Sequence, residues 1–178
     1  TGIFYLAWQE AAIKEYSSPN RDVFFSNIFD KYYTLLLSLC AAAVPMTHIV
    51  IELFVGSDFK SAWIYSGFLY LGAAFSALCS FLGLGYQISK ETQRSIATTI
   101  VAAIINIAIN VLLIKQIRLQ AASLSTFLAY LFLFFIRIRH TRKYFKLSID
   151  WTKFLLMLGL ALVSMMITTT LHSLTISW

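Results

Sequence analysis

Charge is what this sequence has least of. Only 12% of its 178 residues are Asp, Glu, Lys or Arg, against 59% hydrophobic residues and a mean hydropathy of +0.75. Soluble domains carry about 25% charged residues. A chain this poor in charge cannot cover its own surface in water, which excludes a soluble globular enzyme. Its apolar content equally excludes disorder. Two cysteines, Cys40 and Cys79, cannot build a disulfide framework or a four-ligand zinc site, and both lie in apolar runs where a thiol acts as a small hydrophobe. Two prolines and seven glycines exclude a fibrous or linker-rich chain. A polytopic membrane protein remains.

Five long apolar runs are present, over residues 32–54, 62–84, 96–114, 121–136 and 154–171. Each is close to the roughly 17–25 residues that a helix needs to cross the hydrocarbon core. A sixth begins at Thr1 and fades by Lys14, and reads as the end of a helix whose start is missing. The strict alternation of a transmembrane barrel is absent from these runs. The expected fold class is therefore all-α, a polytopic transmembrane helix bundle. Residues 1–16 would end a truncated helix, 17–31 would form a loop, and 32–178 would form a five-helix part.

The basic residues assign an orientation. Eleven of the 14 Lys and Arg residues fall in the first, third and fifth loops, leaving Lys60, Lys115 and Arg118 on the other side. By the positive-inside rule, loops 14–31, 87–95 and 137–153 are cytoplasmic. The same partition accounts for the net charge of +6 without nucleic acid, whose footprint would be one basic face of a soluble domain. The densest cluster, RIRHTRKYFK over 137–146, has two readings. It could attract anionic headgroups or a pyrophosphate-bearing lipid, or it could simply anchor the topology. Trp63, Tyr144 and Trp151 sit at helix ends, where amphipathic rings settle at the interface.

Polar residues inside the runs are the candidate functional residues, because each is costly in hydrocarbon unless it faces other helices or water. Ser38, Ala41, Pro45, His48 and Glu52 follow steps of three and four and share one helical face. Pro45 cannot donate to the carbonyl of Ala41, so a kink or an opened turn is expected there. His48 and Glu52, four apart, are either a protonatable pair on a substrate or ion pathway or a packing pair near the end of the span. Thr99, Ala103, Asn106 and Asn110 form a second polar face. The two asparagines either bridge helices or line a polar cavity. Gly72, Ser76, Ser80 and Gly83 form a small-residue stripe suited to close packing. No phosphate loop, metal-ligand spacing or activated nucleophile is evident, and His48, His140 and His172 lie in separate segments. The reading is of a non-enzyme with no catalytic residue, metal or cofactor.

Three stretches carry a resemblance: AWQEAAIKEY (7–16), NRDVFFSNIFDKYY (20–33) and YQISKETQRSIATTIVAAIINIAINVLLI (86–114). They look like the C-terminal half of the bacterial polysaccharide-repeat flippases, within the multidrug, oligosaccharidyl-lipid and polysaccharide exporter superfamily. Tyr86, Lys90 and Thr92, followed by Asn106 and Asn110 and by the helix start AASLST (121–126), are its most specific part, and it extends over about 3–146. The outer turn IKQIRLQ departs from the family, having Lys115 and Arg118 where members often place proline and glycine. The resemblance implies one lobe of a two-lobe transporter in the bacterial inner membrane, with an N-terminal lobe preceding this stretch. The implied activity is translocation of undecaprenyl-pyrophosphate-linked oligosaccharide repeats for O-antigen, capsule or a related polysaccharide. The implied partners are that lipid-linked substrate, membrane lipids, and a polysaccharide polymerase and glycosyltransferases. A multidrug or cation exporter, and a non-transport component or transferase of a polysaccharide assembly complex, are the alternatives.

The orientation has a direct test. Single cysteines at Asn20, Ser89 and Thr141 should stay unlabelled by an impermeant thiol reagent in intact cells and react after permeabilisation. Labelling of intact cells would reverse the orientation.

Overall fold

A computed structural model of the chain describes residues 2–54 and 63–176, with side chains from 8 to 170 within those ranges except at His48 and Glu52. Six helices make up the described residues: α1 (Gly2–Glu15), α2 (Arg21–Phe54), α3 (Trp63–Ile88), α4 (Thr92–Ile117), α5 (Leu119–Thr141) and α6 (Trp151–Ile176). The described residues contain no strand. Helices α2 to α6 each hold a stretch long and apolar enough to cross a membrane. The chain is a multi-pass membrane protein of the all-α class.

In cross-section the helices follow the order α4, α5, α3, α2, α6, with α3 the most enclosed. The small-residue stripe explains the closest pairing. A Cβ at Gly72 would lie 3.2 Å from the Thr126 methyl and 3.4 Å from the Phe127 amide, so glycine lets α3 and α5 approach at backbone distance. The α3–α4 turn is a Schellman motif. The Glu91 amide reaches back to the Tyr86 carbonyl at 2.8 Å and the Lys90 amide to Gln87 at 3.1 Å, with Lys90 left-handed at φ 58°. Helix α4 joins α5 through Arg118 alone, at φ 49°, a conformation that glycine would adopt without strain. Asp150 caps α6, its carboxylate accepting from the Lys153 amide at 3.1 Å.

The end of the bundle that holds residues 16–20, 89–91 and 142–150, here the basic end, is packed with aromatic rings. Trp8 stacks on Phe81 at 4.2 Å, Phe25 on Phe145 at 4.3 Å, and Phe134 on Phe154 at 5.6 Å. These contacts join α1, α2, α3, α5, α6 and the α5–α6 connection. Elsewhere large apolar side chains point outward: Leu35, Leu39 and Met46 on α2, Ile100, Ile104 and Ile107 on α4, and Leu156 and Leu160 on α6.

Two boundaries differ from those expected. The loop over 17–31 shrinks to the turn at 16–20, because α2 starts at Arg21. Phe25 and Phe29, four apart and both buried, draw its first turns onto Trp8, Phe81 and Phe145. The basic stretch from 137 is helical through Thr141, so the fifth loop is shorter than expected.

Helix α2 continues through Pro45, and a neighbour answers the carbonyl that the proline leaves free. The Ser164 hydroxyl on α6 donates to Ala41 O at 2.7 Å. Two residues beyond the proline, the Thr47 hydroxyl donates to Ala43 O at 2.7 Å and lies 2.6 Å from the Tyr70 hydroxyl on α3. Serine thus serves the backbone carbonyl that proline opens in a span, and Thr47 adds a tie from α2 to α3. Ser164→Ala should lower stability by about 1 kcal/mol. In a Pro45→Ala background, which restores the helix amide, the same change should cost less than half as much. Unfolding in detergent micelles measures both, and equal losses would separate Ser164 from the proline.

Candidate functional site

The most concentrated polar arrangement inside the bundle centres on Arg137. Its position follows from helical phase. On α5, Phe127, Phe134, Arg137 and Thr141 share one buried face. The guanidinium therefore enters the bundle instead of reaching solvent and is 7% exposed. Nη1 donates to Cys79 O on α3 at 2.6 Å. Nη2 reaches Thr99 Oγ1 at 3.0 Å, Ser95 Oγ at 3.3 Å and Ser95 O at 3.4 Å on α4. The Tyr86 ring lies 5.9 Å from the guanidinium carbon. Gly83 supplies the space: a Cβ there would stand 2.9 Å from Nη1. All these acceptors are neutral, and Nε has no partner among the described residues. One cation thus ties three helices through dipoles and an aromatic face.

A second knot closes the basic end. The Glu91 carboxylate binds Lys143 Nζ at 2.8 Å, accepts from the Tyr144 hydroxyl at 2.8 Å, and pairs with Arg94 at 2.7 Å. The Lys143 hydrogen bond, followed by that of Tyr144, holds the Glu91 carboxyl below the usual range, and burial first pushes the Tyr144 phenol up to about 12. Tyr86 Oη lies 3.1 Å from His140 Nδ1. Beside this knot, a cleft of about 420 Å³ opens between the start of α2 and the α5–α6 connection, lined among others by Asp22, Asn27, Asp30, Lys146 and Asp150. Asp30 is engaged by Lys153 at 2.6 Å and by the Tyr33 hydroxyl at 2.6 Å.

Of the residues singled out from the sequence, those with described side chains lie along helix seams. Asn106 donates to Thr126 Oγ1 on α5 at 3.3 Å. With Thr99 bound to Arg137, the second polar face therefore runs along α5. Asn110, one turn further, is half-buried on that face. On the first polar face, Ser38 touches Met157 and the carbonyl of Ala41 meets Ser164, so this face turns to α6. The side chains of His48 and Glu52 lie outside the described residues. Cys40 and Cys79 are free and buried. Among the described residues, no three His, Cys, Asp or Glu side chains are arranged to hold a metal ion.

Two residues that tie helices together, Arg137 and Ser164, are not legible as such in the sequence. Charge alone points Arg137 to a loop, whereas the helical spacing of Phe127, Phe134 and Thr141 around it points to a buried face. Thr141 is itself buried, so Arg142, exposed beside it, is the better position for the labelling experiment. Ser164 carried no signal, because its role depends on which helix stands opposite Pro45. Comparison with protein-family models, with curated proteins and with solved structures found no match to this chain.

The Arg137 node separates hydrogen bonding from volume. Arg137→Ala should destabilise the protein by about 2–4 kcal/mol, from the cavity and the lost bonds together. Arg137→Met, which fills the space without burying a charge, should recover more than half of that. Unfolding in micelles provides the readout, and equal losses would show that the hydrogen bonds alone hold the three helices.

Proposed function

We propose that this chain is part of one lobe of a bacterial inner-membrane flippase that translocates undecaprenyl-pyrophosphate-linked oligosaccharide repeats. The observation that carries the reading is the convergence of the three stretches on which the resemblance rests. Trp8 from the first packs on Phe24 and Phe25 from the second. Tyr16 Oη lies 3.4 Å from Ser89 Oγ in the third, and Gln9 Nε2 lies 3.5 Å from Gln87 Oε1. Segments about seventy residues apart in sequence thus form one unit at the basic end. That end, rich in Arg and Lys, faces the cytoplasm in this proposal and meets the diphosphate headgroup. The uncovered apolar faces of α4 and α6 are open to lipid or to a second lobe. In this reading Asn106 helps hold the α4–α5 seam, and the lobe moves as a packed body while access alternates. Substrate drives that motion only by binding the two states unequally.

Deletion of the protein in the bacterium that makes it should abolish the surface polysaccharide and accumulate lipid-linked repeat units on the cytoplasmic leaflet. Plasmid-borne protein should reverse both. Unchanged surface polysaccharide, without accumulation, would remove the flippase reading. Loss of polysaccharide because no lipid-linked repeat is made would favour a transferase instead.

A further inference from the structure

The outward face of α6 is not uniformly convex. Trp151, Leu155, Leu156, Gly159, Leu160 and Val163 line a groove of about 690 Å³ along that helix. Its floor is Gly159, beside which a Cβ would meet nothing within 4 Å. The groove lies within the apolar span Trp151–Thr170, so its occupant is hydrocarbon over most of its length.

At one end the groove closes on Trp151. Trp151, 41% exposed, forms the rim and also lines a small crevice with Arg142. The Arg142 side chain is exposed and has no hydrogen bond or ion pair among the described residues. Lys143 is committed to Glu91 and Lys153 to Asp30, while Arg139 and Lys146, also exposed, line neither the groove nor the crevice beside Trp151. Asp150 turns its carboxylate to the Lys153 amide, so the start of α6 offers little to an anion, and Arg142 is the uncommitted cation that shares a crevice with Trp151. An apolar groove that ends at an amphipathic ring, with an uncommitted guanidinium beside that ring, matches one chemistry, an acyl chain carrying an anionic phosphate headgroup.

We infer that this face of α6 is a binding site for an anionic phospholipid, with one acyl chain along the Gly159 groove and its phosphate on Arg142. The site is independent of the flippase reading, since it requires no transported substrate. A bulky side chain at position 159 faces open space, and Arg142 lies on the surface, so neither variant disturbs the core.

The test is native mass spectrometry of the purified full protein in micelles, with phosphatidylglycerol or phosphatidylcholine of identical acyl chains added. Phosphatidylglycerol should be retained about fivefold more strongly, the effect of about 1 kcal/mol for one headgroup cation. Arg142→Gln should abolish that preference, and Gly159→Leu should lower retention of both lipids. Lys90→Asn, which removes an exposed cation at the α3–α4 turn, should change neither. Equal retention of the two lipids by the unaltered protein would overturn the proposal. So would an equal fall in preference in the Lys90 variant, which would make the attraction a property of the whole basic end. If Gly159→Leu instead dissociates a dimer, the groove is a protein interface and the proposal is wrong.

Discussion

In hydrocarbon there is no water to finish a hydrogen bond, so each polar group must be answered by the protein itself. Helices satisfy their own backbones except where the sequence interrupts them, and Pro45 makes such an interruption in the last third of α2, the longest described helix. The Ser164 hydroxyl on the free Ala41 carbonyl is therefore a condition for placing α6 beside α2. The buried Arg137 works in the same way on the other side of the bundle. Its four hydrogen bonds to Cys79, Ser95 and Thr99 bring α3, α4 and α5 to one point. Apolar packing between helices is weakly directional when lipid tails compete for the same surfaces. These polar ties supply register that packing alone does not.

The basic end is built differently from the remainder of the bundle. There, α1, the first turns of α2 and the α5–α6 connection leave the pattern of simple spans and close over the ends of α3 and α5 with stacked rings. Trp8, Phe25, Phe29, Phe81 and Phe145 are all nearly inaccessible, as in the core of a soluble domain. The Glu91 knot and the Asp30–Lys153 pair lie just outside that core and pin the connections to it. Towards the opposite end, α2, α4 and α6 present Leu, Ile, Val and Met outward. One end is thus a rigid aromatic plug with a polar rim, and the rest is a set of spans whose outer faces suit lipid or another helical unit.

That division bears on how the candidate residues should be understood. Asn106 and Thr99 are engaged with α5, so the second polar face works as a seam in this conformation. Amides and hydroxyls in such a seam can hold helices together and still exchange partners if α4 moves against α5. Arg118, the single residue joining those two helices, has a positive φ that an arginine adopts at a cost, which places the strain of that connection at the end away from the aromatic plug.

Composition alone determined that the chain belongs in a membrane, and hydropathy with length determined its five spans, because the hydrocarbon thickness sets both quantities locally. The small-residue stripe of α3 was legible for the same reason, since glycine at Gly72 has meaning wherever two backbones approach. The start of α2 was not legible, because Phe25 and Phe29 join the helix only through rings supplied by α1, α3 and residue 145. Charge placed Arg137 in a loop, yet its guanidinium is inside, where Gly83 leaves room and α4 brings hydroxyls. Ser164 and Thr126 looked like ordinary residues of apolar helices until Pro45 and Asn106 stood opposite them. Spacing along one helix reveals which residues share a face. Which helix that face meets is decided only by the fold, because the partner of a buried polar group lies tens of residues away in sequence.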